Sequence, residues 1–395
     1  MKITCVEIIF WISVLIVFYT YIGYGIILYL LVRIKEFFFK PKALTLPEEL
    51  PHVTLLIAAY NEQDIVDEKM FNTLALDYPP SHFHIVWVTD GSTDHTNALL
   101  AGYHQVKVLF EAPRRGKSAA LNRAIQFVDS PIVIFTDANT MLNKEAIQVI
   151  VTEFTNPQVG CVAGEKRVKH NISQDATAGE GFYWKYESFL KNLDYRLYSA
   201  VGAVGELFAI RTSLFVHLPD DTLLDDFIMS MKIAQDGYKI AYCKEAYAEE
   251  EASEDISQET KRKIRIAAGG MQSIVRLSGL LNIFRHGLLS FQYISHRVLR
   301  WSITPILWFC LLPLNVYLAL SGEYSIFYGI ILLLHILFYM AAIAGYILSK
   351  RKIKTKLLFV PYYFIFMNLC VLRGFAYLRK QKGSGVWEKA KRKNG

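Results

Sequence analysis

From Ile8 to Val32 the chain carries no charged side chain, and this limits its fold more than any other feature. A helix of that length covers the roughly 30 Å hydrocarbon core of a bilayer. The run is too long for a signal-peptide core, and no small-residue cleavage site follows it, so it reads as a retained anchor. Lys2 and Glu7 precede it; Arg33, Lys35, Lys40 and Lys42 follow it. The positive-inside rule then puts the N-terminus outside and the next domain in the cytosol. A mean hydropathy of +0.24 alongside 20% charged residues describes a membrane protein that carries a soluble domain.

The formal net charge is +7 over 395 residues. The excess sits beside the apolar segments and in the tail, which points to a membrane surface and away from nucleic acid. Cys5, Cys161, Cys243, Cys310 and Cys370 are scattered and form no Cys-x-x-Cys pair. They indicate neither a disulfide framework nor a zinc site, and they fit a reducing compartment for the soluble part.

Leu46 to Pro51 reads as a linker. Beyond it, strand-like runs (Val53 to Ala58, His84 to Thr89, Val106 to Phe110, Pro131 to Thr136, Val159 to Val162) alternate with helical spacing (Ile65 to Leu76, Lys117 to Val128, Lys144 to Phe154). This βαβ rhythm predicts an α/β domain with a mainly parallel sheet and helices on both faces. Ligands of such sheets bind beyond the carboxyl ends of the strands.

Three strand ends carry chemistry: Ala59-Tyr60-Asn61-Glu62, Asp90-Gly91-Ser92-Thr93-Asp94, and Asp137-Ala138-Asn139. Asp137 and Asn139 are two apart, so on an extended chain they face the same side. That pair suits a hard divalent cation held against a diphosphate; a plain strand-to-turn junction also favours Asp and Asn. Gly91 lets backbone approach a ligand. Asp94 is either a ligand or a helix N-cap, and Asn61 and Glu62 either ligands or a turn. Arg114-Arg115-Gly116-Lys117, just before a helix, is a candidate diphosphate site, though one glycine does not make a Walker loop.

The ordered set Tyr60-Asn61-Glu62, Asp90-Gly91, Gly116-Lys117, Asp137-Ala138-Asn139 and Leu224-Asp225-Asp226 resembles membrane-bound family-2 inverting glycosyltransferases. Their catalytic unit is a GT-A (Rossmann-like) nucleotide-sugar-binding domain. The resemblance spans roughly residues 50–275. It implies that Glu62 and Asp90 hold the nucleoside, usually uridine. It implies that Asp137 and Asn139 occupy the Asp-x-Asp metal site for Mg²⁺ or Mn²⁺, and that Asp226 is the base that activates the acceptor. Ala59, Tyr60, Gly91, Lys117 and Ala138 complete the expected donor site. Inversion at an anomeric carbon needs a carboxylate to take the acceptor proton and cations to stabilise the departing diphosphate. Asp225 and Asp226 open the helical stretch Phe227 to Gln235, so one can cap it while the other reacts; the two could be exchanged. Gly205 and Glu206, in the loop from Gly202, are the acceptor-side candidates, with a tight turn as the alternative. Gly164 to Arg167 could reach the donor sugar or phosphates.

Two departures from the family pattern stand out. Asn139 replaces a second Asp and brings no charge. Where processive members carry Gln-x-x-Arg-Trp, this chain has Arg262-Lys263-Ile264-Arg265-Ile266. Arg262 and Arg265 share one helix face and could clamp the diphosphate, or the basic helix could lie on anionic lipid. The ring-stacking Trp is replaced by Ile266.

Residues 276–302 read as an interfacial amphipathic segment and 303–378 as a C-terminal transmembrane region, after an anchor at 1–35. The spans are Ile303 to Leu320 and Ile326 to Leu348, with Glu323 in the loop between them and a basic run from Lys350 to Lys356 after them. Leu357 to Leu372 is a third apolar run. If it crosses fully, the basic tail at 379–395 ends outside, against the charge rule; either it is re-entrant or the number of spans differs by one. The expected enzyme lies in the cell (inner) membrane, multi-pass, with its catalytic domain in the cytosol. It transfers a sugar from a UDP-sugar to a lipid-linked or saccharide acceptor in polysaccharide or cell-envelope synthesis, alongside partner subunits. The alternatives are a processive β-glycan synthase and a non-catalytic nucleotide-sugar-binding subunit.

Overall fold

The computed structural model describes residues 5–40, 43–169, 178–251, 256–321, 324–351 and 356–380. Lys2, Lys42, Glu323, residues 352–355 of the basic run and the tail from Gln381 lie outside these.

One eight-stranded sheet organises the soluble part. Its strands are β1 (Val53–Ala59), β2 (Phe83–Asp90), β3 (Val106–Glu111), β4 (Ile132–Asp137), β5 (Thr140–Leu142), β6 (Val159–Lys169), β7 (Phe208–Arg211) and β8 (Lys239–Glu251), in the order β3-β2-β1-β4-β7-β6-β8-β5. The first four strands in that order are parallel. β1 is apolar at nearly every position because both its faces are covered, as parallel central strands require. Val53, Leu55 and Ile57 pack on one side with Val66 and Met70; Leu56 packs on the other with Ala120, Leu121 and Ala124.

Register places the site. Ala58 pairs with Asp137, and Ala59 with Thr89, so the ends of β1, β2 and β4 share one edge. β7 runs antiparallel to β4 with Phe208 opposite Phe135. The loop entering β7 therefore arrives beside Thr136 and Asp137.

The helices, in chain order, are α1 (Cys5–Phe38, with a π turn at Tyr19–Gly23), α2 (Val66–Leu74), α3 (Thr96–Leu100), α4 (Lys117–Ala124), α5 (Ala146–Glu153), α6 (Ala178–Leu197), α7 (Asp225–Gln235) and α8 (Ile256–Arg276). After short turns between 278 and 301 come α9 (Ile303–Ser321), α10 (Ser325–Lys350) and α11 (Lys356–Lys380). Among the described residues, four helical stretches are long and apolar enough to cross a membrane: Cys5–Phe38, Ile303–Leu320, Ser325–Lys350 and Leu357–Lys380.

The segment 276–302, read from sequence as an amphipathic stretch at the interface, folds as broken helical turns packed on the domain. Leu277, Leu280, Leu289 and Tyr293 join the core beside Phe227. His296 faces Asp194 at 2.6 Å, while Arg297 and Arg300 pair with Glu187. The two arginines are tolerated inside because each meets a carboxylate there. The Tyr24 hydroxyl of α1 also donates to Asp194, tying the first apolar helix to α6. Ile283 and Phe284 at the turn remain exposed.

α11 does not stand apart from the domain. Its start packs on the end of α10, where Gly345 leaves room for the Leu358 carbonyl. Its later half lies on α8, with Gly374 against Ala267 and Ala268, and Val371 in a cluster with Met271.

Candidate active site

The carboxyl edge of the sheet opens into a cavity of about 1900 Å³. Ala59, Tyr60, Glu62, Asp90, Lys117, Asp137, Ala138, Asn139, Gly205, Glu206, Asp225, Asp226, Arg262 and Arg265 all line it. Carboxylates from five separate segments thus share one space.

The donor end is built from two turns. Asp90 accepts from the backbone N–H groups of Arg115 (3.0 Å) and Gly116 (2.7 Å), so it fixes the basic loop as well as lining the cavity. Gly91 has φ +70, and a Cβ there would stand 3.0 Å from the Ala112 carbonyl and Arg114. The Arg114 guanidinium stacks on Tyr60, 3.6 Å from the ring centroid. Asn61, Ser92, Thr93 and Asp94 form the scaffold behind. Asn61 has φ +54 and accepts from the Thr93 N–H. Asp94 accepts from the Thr96 N–H and hydroxyl at the start of α3 and from the Gln63 N–H. Asp94 thus ties the start of α3 to the loop after β1.

Lys117 is the electrostatic centre. Its ammonium lies 2.7 Å from Asp137 Oδ1 and 3.7 Å from Asp225 Oδ2. Burial works against its charge, but Asp137, Asp225 and Asp226 outweigh it and hold the ammonium protonated. Gly205 approaches closely: a Cβ there would stand 3.3 Å from Lys117 Nζ and 3.5 Å from Asp226 Oδ2. Burial pushes the Asp226 carboxyl up to about 7, Asp225 adds to the rise, and Lys117 opposes it. A carboxylate poised there suits a general base at neutral pH. Asp225 and Asp226 open α7, where the helix dipole favours them. Gly202, φ +84, brings the loop onto α7, with the Phe227 ring 2.2 Å from where its Cβ would be.

The Asp137 turn is held from beneath by Lys69. This lysine is fully buried and donates to Thr136 Oγ1 (3.2 Å) and to the Thr140 carbonyl (2.5 Å). Burial pulls its ammonium down to about 7, against the attraction of Asp137. The Thr136 hydroxyl in turn donates to the Glu206 carbonyl at 2.9 Å. Sequence reasoning missed Lys69, whose only signal is a charge on the apolar face of α2.

Glu206 is shared with Lys166, which also binds Glu250. Burial alone would raise the Glu206 carboxyl; Lys166 and Arg262 hold it down at about 2. Arg262 pairs with Glu259 at 3.0 Å and approaches Glu250 at 3.9 Å. Arg265 is pulled below its ordinary value by burial, with the charges of Asp225 and Asp137 opposing the fall. Glu165 accepts from Ser188, and Arg167 stacks on Tyr247, so of the 164–167 stretch the described contacts bring Lys166 nearest the site.

Asp137 and Asn139 bear on a metal in a particular way. Among the described residues, no group of three or more His, Cys, Asp or Glu could cage an ion. One carboxylate and one amide fit a hard cation that takes most of its shell from a diphosphate and water.

The cavity continues to the apolar helices, past Trp184, Tyr186 and Trp301, to Tyr21 and Ile22 of α1 and to Phe359, Phe364 and Met367 of α11. Gly270, one turn beyond Ile266 on α8, leaves the space that the Trp301 indole fills. Aromatic rings missing from position 266 thus reach the cavity from other elements.

The family-2 model, described as "Glycosyltransferase like family 2", matches residues 51–269. The poly-beta-1,6-N-acetyl-D-glucosamine synthase of Staphylococcus epidermidis is 25% identical over 301 residues, 71% of each chain. The synthase of the same name from Staphylococcus aureus is 27% identical over 239 residues, 58% of this chain and 57% of that one. Among solved structures, a mannosyltransferase from Pyrobaculum calidifontis, in complex with GDP-Man and Mn²⁺, superposes with a TM-score of 0.69 at 21% identity, covering 94% of this chain and 99% of that one. That likeness is one of fold, and it is the GT-A fold. The match spans more than half of the sequence, and the chain belongs to glycosyltransferase family 2, as a GT-A enzyme with apolar helices at both ends.

Proposed function

We propose that this glycosyltransferase moves one sugar from a nucleotide-sugar, a UDP-sugar by its family resemblance, onto a lipid-linked or saccharide acceptor at the cytosolic membrane face, with inversion. The observation that carries this is the convergence of Asp90, Asp137 and Asp226 on one cavity. The nucleoside lies between the Tyr60–Arg114 stack and the Asp90 turn. The diphosphate lies toward Lys117 and Arg265. Asp226 takes the proton of the acceptor hydroxyl; the hydroxyl oxygen bonds to the anomeric carbon as its bond to the diphosphate breaks, and Lys117 meets the charge left behind. A divalent cation held by Asp137 and Asn139 would supply further neutralisation of that diphosphate.

We read α1, α9 and α10 as crossing the membrane and α11 as returning along α8. The packing of α11 on Ala267 and Ala268 supports this. On this reading the basic tail and the catalytic domain share one side, as the charge rule asks.

A second reading, processive synthesis of a β-linked glycan, is favoured by the names of the staphylococcal relatives and by the aromatic rings along the cavity. Detergent-purified protein should release nucleotide from one member of a nucleotide-sugar panel in the presence of Mg²⁺ or Mn²⁺. One added sugar per acceptor supports the first reading, and a ladder of products the second. No turnover with any donor removes both.

A further inference from the structure

The membrane end of the cavity holds a cation that the mechanism above does not use. Lys191 lies on α6, one turn from Glu187 and on the same face. It is 4% exposed, and it lines the same space as Glu206 and Asp226. The neighbouring carboxylates are already engaged. Glu187 faces Arg297, Arg300 and His296. Asp194 accepts from Tyr24 and Gln292 and faces His296. Glu206 is held by Lys166. Among the described residues, Lys191 makes no hydrogen bond or ion pair. Burial pulls its ammonium down to about 8; Glu187 opposes that fall and Arg297 adds to it. A buried ammonium of this kind is costly until an anion joins it.

The chemistry of that anion follows from the walls beyond. The cavity runs on between α1 and α11, bounded by Tyr21, Ile22, Phe359, Val360, Phe364 and Met367. These walls are apolar and belong to helices suited to a bilayer. A free sugar phosphate would gain nothing from them, whereas a lipid would fill them and present its head to Lys191.

We propose that Lys191 receives the phosphate head of a membrane lipid that bears the acceptor, with its apolar chain lying between α1 and α11. This rests on the glycosyltransferase reading and names its acceptor class.

The test uses the full chain in phosphatidylcholine nanodiscs, with lipid binding measured by native mass spectrometry. The probes are undecaprenyl phosphate, dioleoyl phosphatidic acid and, as the uncharged control, undecaprenol. UDP binding is measured on the same samples. A phosphate lipid should bind about tenfold tighter than undecaprenol, the scale of one charge-assisted hydrogen bond. Lys191→Met should erase that preference, and Lys191→Arg should keep most of it. Whichever phosphate lipid binds identifies the source of the head group. Equal binding of undecaprenol, or a preference that survives in Lys191→Met, overturns the proposal. A wild-type protein that binds a phosphate lipid through Lys191 but no nucleotide would sink the glycosyltransferase mechanism and leave this site standing.

Discussion

Removing Lys117 or Asp225 should move the pH profile of turnover in opposite directions, because the two act with opposite sign on Asp226. With its carboxyl at about 7, Asp226 is roughly one-tenth ionised at pH 6 and nine-tenths at pH 8. The wild-type kcat/KM for nucleotide release should therefore rise about tenfold across that interval and then level. Lys117 Nζ and Asp226 Oδ2 both lie near one point beside Gly205, 3.3 and 3.5 Å from it. They are at most about 7 Å apart, worth about 2 kcal/mol at an effective dielectric near 20, or one to two pKa units. Lys117→Met should push the rising limb up by about that much, so that little base is ionised at pH 7. Asp225→Asn removes the like charge and should draw the limb below pH 7. The assay is nucleotide release in detergent from pH 5 to 9, with each profile normalised to its own plateau. A wild-type profile flat between pH 6 and 8, or shifts of the same sign in both variants, refutes Asp226 as the base.

Other expectations follow from the same contacts. Asp226→Asn should lower transfer by a factor on the order of 10² to 10⁴ while UDP still binds, as isothermal titration can show. Lys69→Met should trade function for stability. The folded protein holds Lys69 at about 7, so this lysine opposes folding below pH 7 and the penalty fades as pH rises toward 10.5. The variant should melt higher than wild type at pH 6, with the gap closing at pH 10, yet bind UDP more weakly because the Asp137 turn has lost its support. Gly202→Ala forces an L side chain into a positive φ against the Phe227 ring and should cost about 2–4 kcal/mol, read as a fall in Tm. EDTA should abolish nucleotide release and weaken UDP binding, and added Mn²⁺ should restore both.

The strands were legible because both of their faces are covered. β1, β2 and β4 are nearly unbroken apolar runs, and the polar residues that end them mark the edge that opens into the cavity. Less could be read where contacts are long-range. β5 has only three residues and exists through its pairing with β8. α6 mixes aromatic and charged residues without a clean stripe, because Glu187 and Asp194 are satisfied by a segment a hundred residues later. Asp94 reads as ligand or cap from sequence; only the structure shows its carboxylate accepting from Gln63 and Thr96. Glu206 reads from sequence as an acceptor-side candidate; its partner Lys166, from strand β6, has no local signal. Trp184, Lys191 and Trp301 were missed because no local motif carries them. The available signal was a run of charges three or four apart on α6, which only a buried partner could accommodate.

The hydroxyl of Thr136 has a further consequence. It receives Lys69 on one side and gives its own proton to the Glu206 carbonyl on the other, so one oxygen belongs at once to the turn that carries Asp137 and to the strap over Asp226. Whatever reshapes the first must be felt by the second. The expected outcome is thermodynamic linkage between donor and acceptor occupancy, each changing the other's affinity by the same factor; UDP titrations with and without acceptor should lose that linkage in Thr136→Val.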